Sequence, residues 1–383
     1  MRRRFQRIAC AFLALWLLCA AGCGLTRETA PDFSGEAEPL SVGSPVKHHF
    51  ALLDETEKHA YNAILSVIYT FPERIAVPTL TQPQLDRIYT ALLSDNPDLF
   101  FLDRRSTVRQ NKQWANFIPQ YVMAKEDYEA MLRKCEKVAS GILEEAESAQ
   151  TEFDREKVVH DRLIDMCVYS DSDAYSYKST IYGALCGGSA ACEGYAKTAK
   201  YLLDRLGIPC YVVTGVSTPP GSASSSHMWN IVQLDGEYYH LDLTWDDPVL
   251  ENGGNLIHYT YFNVTDNVIA KTHSGFTGTD ACTAIEQNYF IHRHLLFADW
   301  GEAEQERTQE IAAETIQAGS EGFQLRFGNR DAFEKAKQDL FDEQGVYPIL
   351  QKIREQTEKE FAVDRVSYLY DADDLTIDVI LDK

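Results

Sequence analysis

Cys192 sits in the stretch Gly187-Gly188-Ser189-Ala190-Ala191-Cys192-Glu193-Gly194-Tyr195-Ala196. Small residues precede it, and a run with helical spacing follows as far as Leu206, closed by Gly207. That pattern places the thiol in the first turn of a helix. Unpaired backbone N–H groups and the positive end of the helix dipole favour a thiolate there. A nucleophilic cysteine needs a base, and the base needs a group to orient it. The segment from His227 to Trp245 offers both. Asp235-Gly236 between two strand-like runs is a favoured two-residue hairpin loop. If Leu234 faces Glu237, then His227 faces Thr244 and Trp229 faces Asp242. Side chains alternate across a strand, so residues 227, 229, 242 and 244 share one face. Asp242 becomes the diagonal neighbour of His227, about 7–8 Å away between backbones and within side-chain reach. A carboxylate beside an imidazole sets its tautomer and stabilises the imidazolium.

The other polar residues of this hairpin fit less well. Asn230 falls on the opposite face from His227, and Asp247 has the wrong parity. His240 shares the face but lies nearer the turn and is not an acid. Asp246 has the right parity but pairs beyond the histidine, which makes it the nearest rival to Asp242.

The Cys-Glu-Gly-Tyr-Ala run at 192–196 resembles the nucleophile motif of the transglutaminase-like superfamily. Gly207-Ile208-Pro209-Cys210 and Val213-Thr214-Gly215 look like the strand that follows it. His227-Met228-Trp229-Asn230 is similar to the family's His-x-Trp-Asn, and Asp242-Leu243-Thr244-Trp245-Asp246-Asp247-Pro248 to its Asp-x-Thr-Trp-Asp-Asp-Pro. Tyr261-Phe262-Asn263-Val264 resembles the usual continuation, so the likeness spans roughly residues 155–295. It implies an α+β chain with a papain-like core, in which Cys192 is nucleophile, His227 base and Asp242 orienting acid. The flanks, including Ser94-Asp95-Asn96-Pro97-Asp98-Leu99-Phe100, resemble those of bacterial surface lipoproteins of this group.

The implied reaction is acyl transfer on a peptide or protein amide through a thioester, which water or an amine resolves. Hydrolysis is favoured, because water is abundant and no amine pocket is visible. The backbone N–H of Cys192 is one candidate oxyanion donor; Tyr182 or Trp229 could supply a second. The alternative is a surface adhesion or cell-wall scaffold that keeps the fold without catalysis, although such a scaffold has no need of all three side chains. No cofactor is required. Gly187-Gly188 lacks the Lys-Ser/Thr of a phosphate loop. His48-His49 and His292/His294 have no partners at metal spacing, so no metal site is expected.

Elements that must position these groups follow from periodicity. Residues 52–150 read as an N-terminal helical region, with helical patterns at 54–71, 82–93 and 125–149 and one strand-like run at 114–123. Residues 151–300 form the catalytic domain. Residues 301–383 read as a small α+β module ending in a hairpin over 367–381.

The N-terminus reads as an address. Four arginines in the first seven residues precede the apolar run Ile8–Ala21, too short to span a bilayer. It ends in Ala20-Ala21-Gly22-Cys23, which resembles a bacterial lipoprotein signal with Cys23 as the lipidated residue, although Ala20 stands where the pattern usually has Leu. Residues 1–22 are then a signal peptide and 23–51 a tether rich in Gly, Pro, Ser and Glu. The body leaves the cytoplasm, lipid-anchored or, alternatively, secreted. Six of the nine cysteines lie beyond Cys23, and none forms a C-x-x-C pair.

The 383 residues carry 36 Lys+Arg against 58 Asp+Glu, a net charge of −22. Phosphate contacts need clustered basic residues, so nucleic acid is excluded as a partner. An anionic membrane surface would repel such a body, which leaves the lipid as the membrane contact. The expected partner is a peptide or protein substrate, cell-wall-associated in one reading.

Overall fold

The computed structural model describes residues 31–110, 113–170, 177–248, 256–357 and 359–382. The expected signal peptide and the Cys23 lipidation site lie outside these residues. The chain is mixed α and β, as expected.

The N-terminal region contains α1 (His48–Ala51), α2 (Glu55–Leu65), β1 (Ile75–Val77), α3 (Gln82–Asp95), β2 (Thr107–Gln110), β3 (Ala115–Ile118) and α4 (Lys125–Ser148). Asp54 caps α2 in a reciprocal box with Glu57. Pro83 stands in the first turn of α3, where its missing N–H costs nothing. The three strands form an antiparallel sheet in the order β1-β3-β2. The run read as strand-like, 114–123, contains β3, whereas β1 and β2 fall where the sequence showed no strand pattern.

Residues 44–51, read from the sequence as the end of a tether, pack on the body. The fully buried Lys200 ammonium donates to Ser44 Oγ, the Val46 carbonyl, the Cys210 carbonyl and Asp204. The buried Asp95 carboxylate takes the backbone N–H groups of His49 and Phe50. These bonds tie the segment to α3 and to the central layer.

The central layer contains α5 (Glu152–Met166), the short parallel pair β4 (Val168–Tyr169) and β5 (Ser189–Ala190), and α6 (Cys192–Leu203). β6 (Cys210–Ser217), β7 (Ser225–Leu234), β8 (Glu237–Leu241), α7 (Asp266–Ile269), β9 (His273–Ser274) and α8 (Tyr289–His292) follow. The sheet runs β8-β7-β6-β9, all antiparallel, and α6 packs across β6 and β7. Asp235 and Gly236 both take positive φ, as the tight hairpin turn requires.

The C-terminal module adds β10 (Leu296–Phe297), α9 (Glu302–Gln317), β11 (Gly322–Phe327), α10 (Arg330–Lys337), α11 (Val346–Thr357), β12 (Val366–Asp371) and β13 (Thr376–Leu381). Its sheet runs β10-β11-β13-β12, with β10 parallel to β11. The terminal hairpin falls where the sequence places it. The sheet also draws its first strand from before residue 300.

Candidate active site

A π-helical turn, Gly183–Gly187, and Gly188 at φ 65° bring the chain into β5, and Ala191 then caps α6. Cys192 is the first residue of that helix. No side chain caps it, so the first amides of α6 have no side-chain acceptor. Gly194 allows the helix to seat. A Cβ there would lie 2.1 Å from the Lys178 carbonyl oxygen, which accepts the Ala191 N–H at 3.0 Å.

β7 carries His227 to the same cleft, whose volume is about 430 Å³ and which both Cys192 and His227 line. The hairpin register is as expected, with Leu234 opposite Glu237 and Asn230 opposite Leu241. The expected strand out to Trp245 is corrected. The ladder ends at Leu241, and residues 243–245 turn away. Asp242 starts that turn and organises it by accepting the N–H groups of Thr244 and Trp245 on Oδ1 at 3.0 and 3.2 Å. Its other oxygen, Oδ2, lies 2.7 Å from His227 Nε2. An ionised carboxylate only accepts, so Nε2 carries the proton and Nδ1 is the nitrogen left for Cys192.

Electrostatics follow this geometry. Burial alone would lower the His227 pKa. The Asp242 charge and hydrogen bond, with a further hydrogen bond to Cys192, outweigh burial and raise it to about 10. Burial alone would raise Asp242, but His227 and the hydrogen bond from His273 hold it well below the ordinary carboxylate range. His273, on β9, places Nε2 3.0 Å from Asp242 Oδ2, and its Nδ1 is 2.9 Å from Thr272 Oγ1. Nothing in the sequence pattern marks His273. It lies on a two-residue strand, and its contact depends on the β6–β9 pairing of Ser217 with His273.

The rival Asp246 serves elsewhere. It is fully buried, 3.3 Å from His160 Nε2, and accepts the Tyr261 N–H. Asp247 accepts the Tyr195 hydroxyl. The two side-chain oxyanion candidates are not part of the cleft lining. Trp229 is buried and donates its indole N–H to His240 Nδ1 at 3.0 Å; its six-membered ring lies against Gly215, where a Cβ would meet Cη2 at 2.8 Å. Tyr182 packs edge-on against Tyr177. The Cys192 N–H remains the candidate from the original set.

The cleft has features the sequence did not disclose. Helix α3 forms one wall through Tyr89, Leu93 and Ser94. Arg104 reaches across from the N-terminal region to Glu193, which also takes Lys197 Nζ at 2.8 Å. Burial would raise Glu193, but Lys197 and Arg104 hold it below its usual value. Beyond this bridge the cleft opens into a second lobe of about 310 Å³, walled by Leu99, Phe100, Leu102 and Val122.

All six described cysteines are free thiols. Burial raises Cys135, Cys167, Cys186, Cys210 and Cys282 above the ordinary thiol range. Cys186 and Cys135 lie 4.0 Å apart between sulfurs.

The sequence profile of the Transglutaminase-like superfamily matches residues 137–243. The chain carries a transglutaminase-like domain. The match runs from within α4 to just past Asp242 and so contains Cys192 and His227. Among solved structures, the chain is similar to a TGase (17% identity, 45% of this chain and 50% of that one, TM-score 0.27). It is also similar to a candidate cysteine protease of Cytophaga hutchinsonii (12% identity, 39% and 64%, TM-score 0.25). A candidate protease of Parabacteroides distasonis also matches (12% identity, 36% and 35%, TM-score 0.22). The matched part thus spans less than two thirds of the length of each of these structures. No curated protein matches the chain.

Proposed function

We propose that the transglutaminase-like domain is a cysteine-dependent acyl-transfer enzyme acting on peptide or protein amides, with hydrolysis as its main outcome. Cys192 is the nucleophile, His227 the base and Asp242 the orienting acid. The observation that carries this reading is the line Cys192–His227–Asp242: one cleft holds the sulfur and the imidazole, and the far nitrogen of that imidazole is fixed at 2.7 Å by a buried carboxylate.

The steps follow from these positions. The Cys192 thiolate attacks the amide carbon, and the oxyanion takes the uncapped Cys192 N–H at the start of α6. The His227 imidazolium gives its Nδ1 proton to the departing amine. Nδ1 then removes a proton from water, which attacks the thioester and returns the free thiol. Asp242 keeps Nε2 protonated throughout, so Nδ1 is always the working nitrogen.

The lobe beyond Arg104 supports a peptide with an apolar side chain beside the scissile amide, because Leu93, Leu99, Phe100, Leu102 and Val122 wall it and the bridge of Arg104, Glu193 and Lys197 marks its entrance. Export and a lipid anchor at Cys23 belong to the same proposal and rest on the N-terminal sequence. Among the described residues no helix is long and apolar enough to cross a membrane.

Labelling with a thiol-reactive peptide probe tests the assignment. Wild type should be labelled at Cys192, with Cys192→Ala unlabelled and His227→Ala labelled about 100-fold more slowly. Equal labelling of wild type and His227→Ala would overturn it.

A further inference from the structure

A second cavity, of about 320 Å³, lies between the transglutaminase-like domain and the C-terminal module, away from Cys192. Val264, Val268 and Ile291 wall it from one side; Phe327 and Leu375 wall it from the other. Into this apolar space β11 delivers Arg326, a half-buried residue. Its guanidinium has five N–H donors. Among the described residues no hydrogen bond or ion pair takes any of them. The Phe290 ring lies 5.4 Å away, which favours the charge but accepts no conventional hydrogen bond.

An unpaired guanidinium in an apolar pocket is costly, because water is partly withdrawn and nothing replaces it. Burial lowers the Arg326 pKa, and the nearby Asp374 opposes the effect. Asp374 is already bound by Lys271 at 3.1 Å, which neutralises that pair. Asp373 also lines the cavity and is exposed to solvent. Lys271, Asp373 and Asp374 share the lining with Arg326, and Arg326 is the one of its two cations that makes no ion pair among the described residues.

We infer that this cavity binds a carboxylate carried on a small apolar body, with Arg326 taking the carboxylate and the two apolar walls taking the body. A planar guanidinium matches a carboxylate with two parallel hydrogen bonds, and mostly apolar walls with a few convergent polar groups are what small-ligand sites offer. The same chemistry is presented by a free acid, by a hydrophobic amino acid and by the C-terminus of a peptide. Because the cavity is walled by both modules, a ligand there would join them. The inference does not depend on the assignment of Cys192.

Calorimetric titration of the whole mature protein tests it. The probes are 4-methylpentanoate, L-leucine, N-acetyl-L-leucine and the methyl ester of N-acetyl-L-leucine. At least one of the three acids should bind saturably at one site, and the uncharged ester should not. Arg326→Gln, checked as folded by its melting curve, should weaken the binding at least tenfold, with Arg326→Lys in between. Binding of N-acetyl-L-leucine would admit peptide C-termini as ligands; binding of the other acids alone would restrict the site to free acids. No saturable binding of any acid to wild type, equal binding of the ester, or unchanged binding to Arg326→Gln would overturn the inference. The ester comparison uses wild type and so holds even if the variant fails to fold.

Discussion

His227 and His273 donate to the same oxygen of Asp242, at 2.7 and 3.0 Å, from strands on opposite sides of β6. One carboxylate oxygen thus holds both the cleft imidazole of His227 and the His273 ring. With Oδ1 occupied by the Thr244 and Trp245 amides, Asp242 has a donor on every side and cannot swing away from His227. In the proposed reaction His273 is then a positioning residue that acts through Asp242.

Replacing His273 by Ala should slow acylation about tenfold while leaving substrate KM near its wild-type value, because the ring touches Asp242 and not the cleft. His273→Gln keeps a donor and should recover most of the rate. A purely structural role would instead lower the melting temperature of both variants equally.

Asp242→Asn should shift the pH profile. The Asp242 charge is the largest influence raising His227, against the burial that lowers it. Loss of that charge moves the His227 pKa down from about 10, so the imidazolium is lost at lower pH. The high-pH limb of acylation should therefore move acid-ward, with the rate at neutral pH reduced about 10²–10⁴-fold. The pH dependence of probe labelling checks both.

Glu156 gives a stability prediction. It is fully buried; Oε2 accepts Asn263 Nδ2 at 2.7 Å, and Oε1 has no partner among the described residues. Burial raises its pKa to about 8. The folded state therefore holds the proton more tightly than the unfolded state. The associated stability is fully present below pH about 4.5 and is lost as pH rises through about 8. Glu156→Gln removes the ionisation and should flatten that decline, with a gain on the order of 4 kcal/mol above pH 9. Thermal melts of wild type and variant from about pH 5 to about pH 10 measure it.

Part of the cleft's geometry was readable from the sequence because it depends on local rules. A helix start after small residues located Cys192, and a two-residue turn set the register that aligned His227 with Asp242. That register held only as far as Leu241. Asp242 begins a turn closed by its own side chain, which strand parity cannot foresee. Residues brought in by tertiary packing left no local trace. His273 arrives on a two-residue strand, His160 claims Asp246 from across the domain, and Arg104 crosses from the N-terminal region to Glu193. The strands β1 to β3 were likewise too short to announce themselves, apart from the run that contains β3.

Val122→Glu should test the apolar lobe. Val122 is exposed at its edge, so the change should be tolerated by the fold. It should lower kcat/KM about fivefold to tenfold for substrates with a bulky apolar residue beside the amide, and leave alkylation by iodoacetamide unchanged. An equal loss for substrates with apolar and polar residues would remove the lobe from substrate recognition.

The most direct measurement is the alkylation rate of each cysteine by iodoacetamide near pH 7, read by peptide mass spectrometry in wild type and in His227→Ala. Cys192 should react at least tenfold faster than Cys135 or Cys210 in wild type, and lose that advantage in the variant. A Cys192 no faster than the buried thiols, or one equally fast without His227, would contradict it.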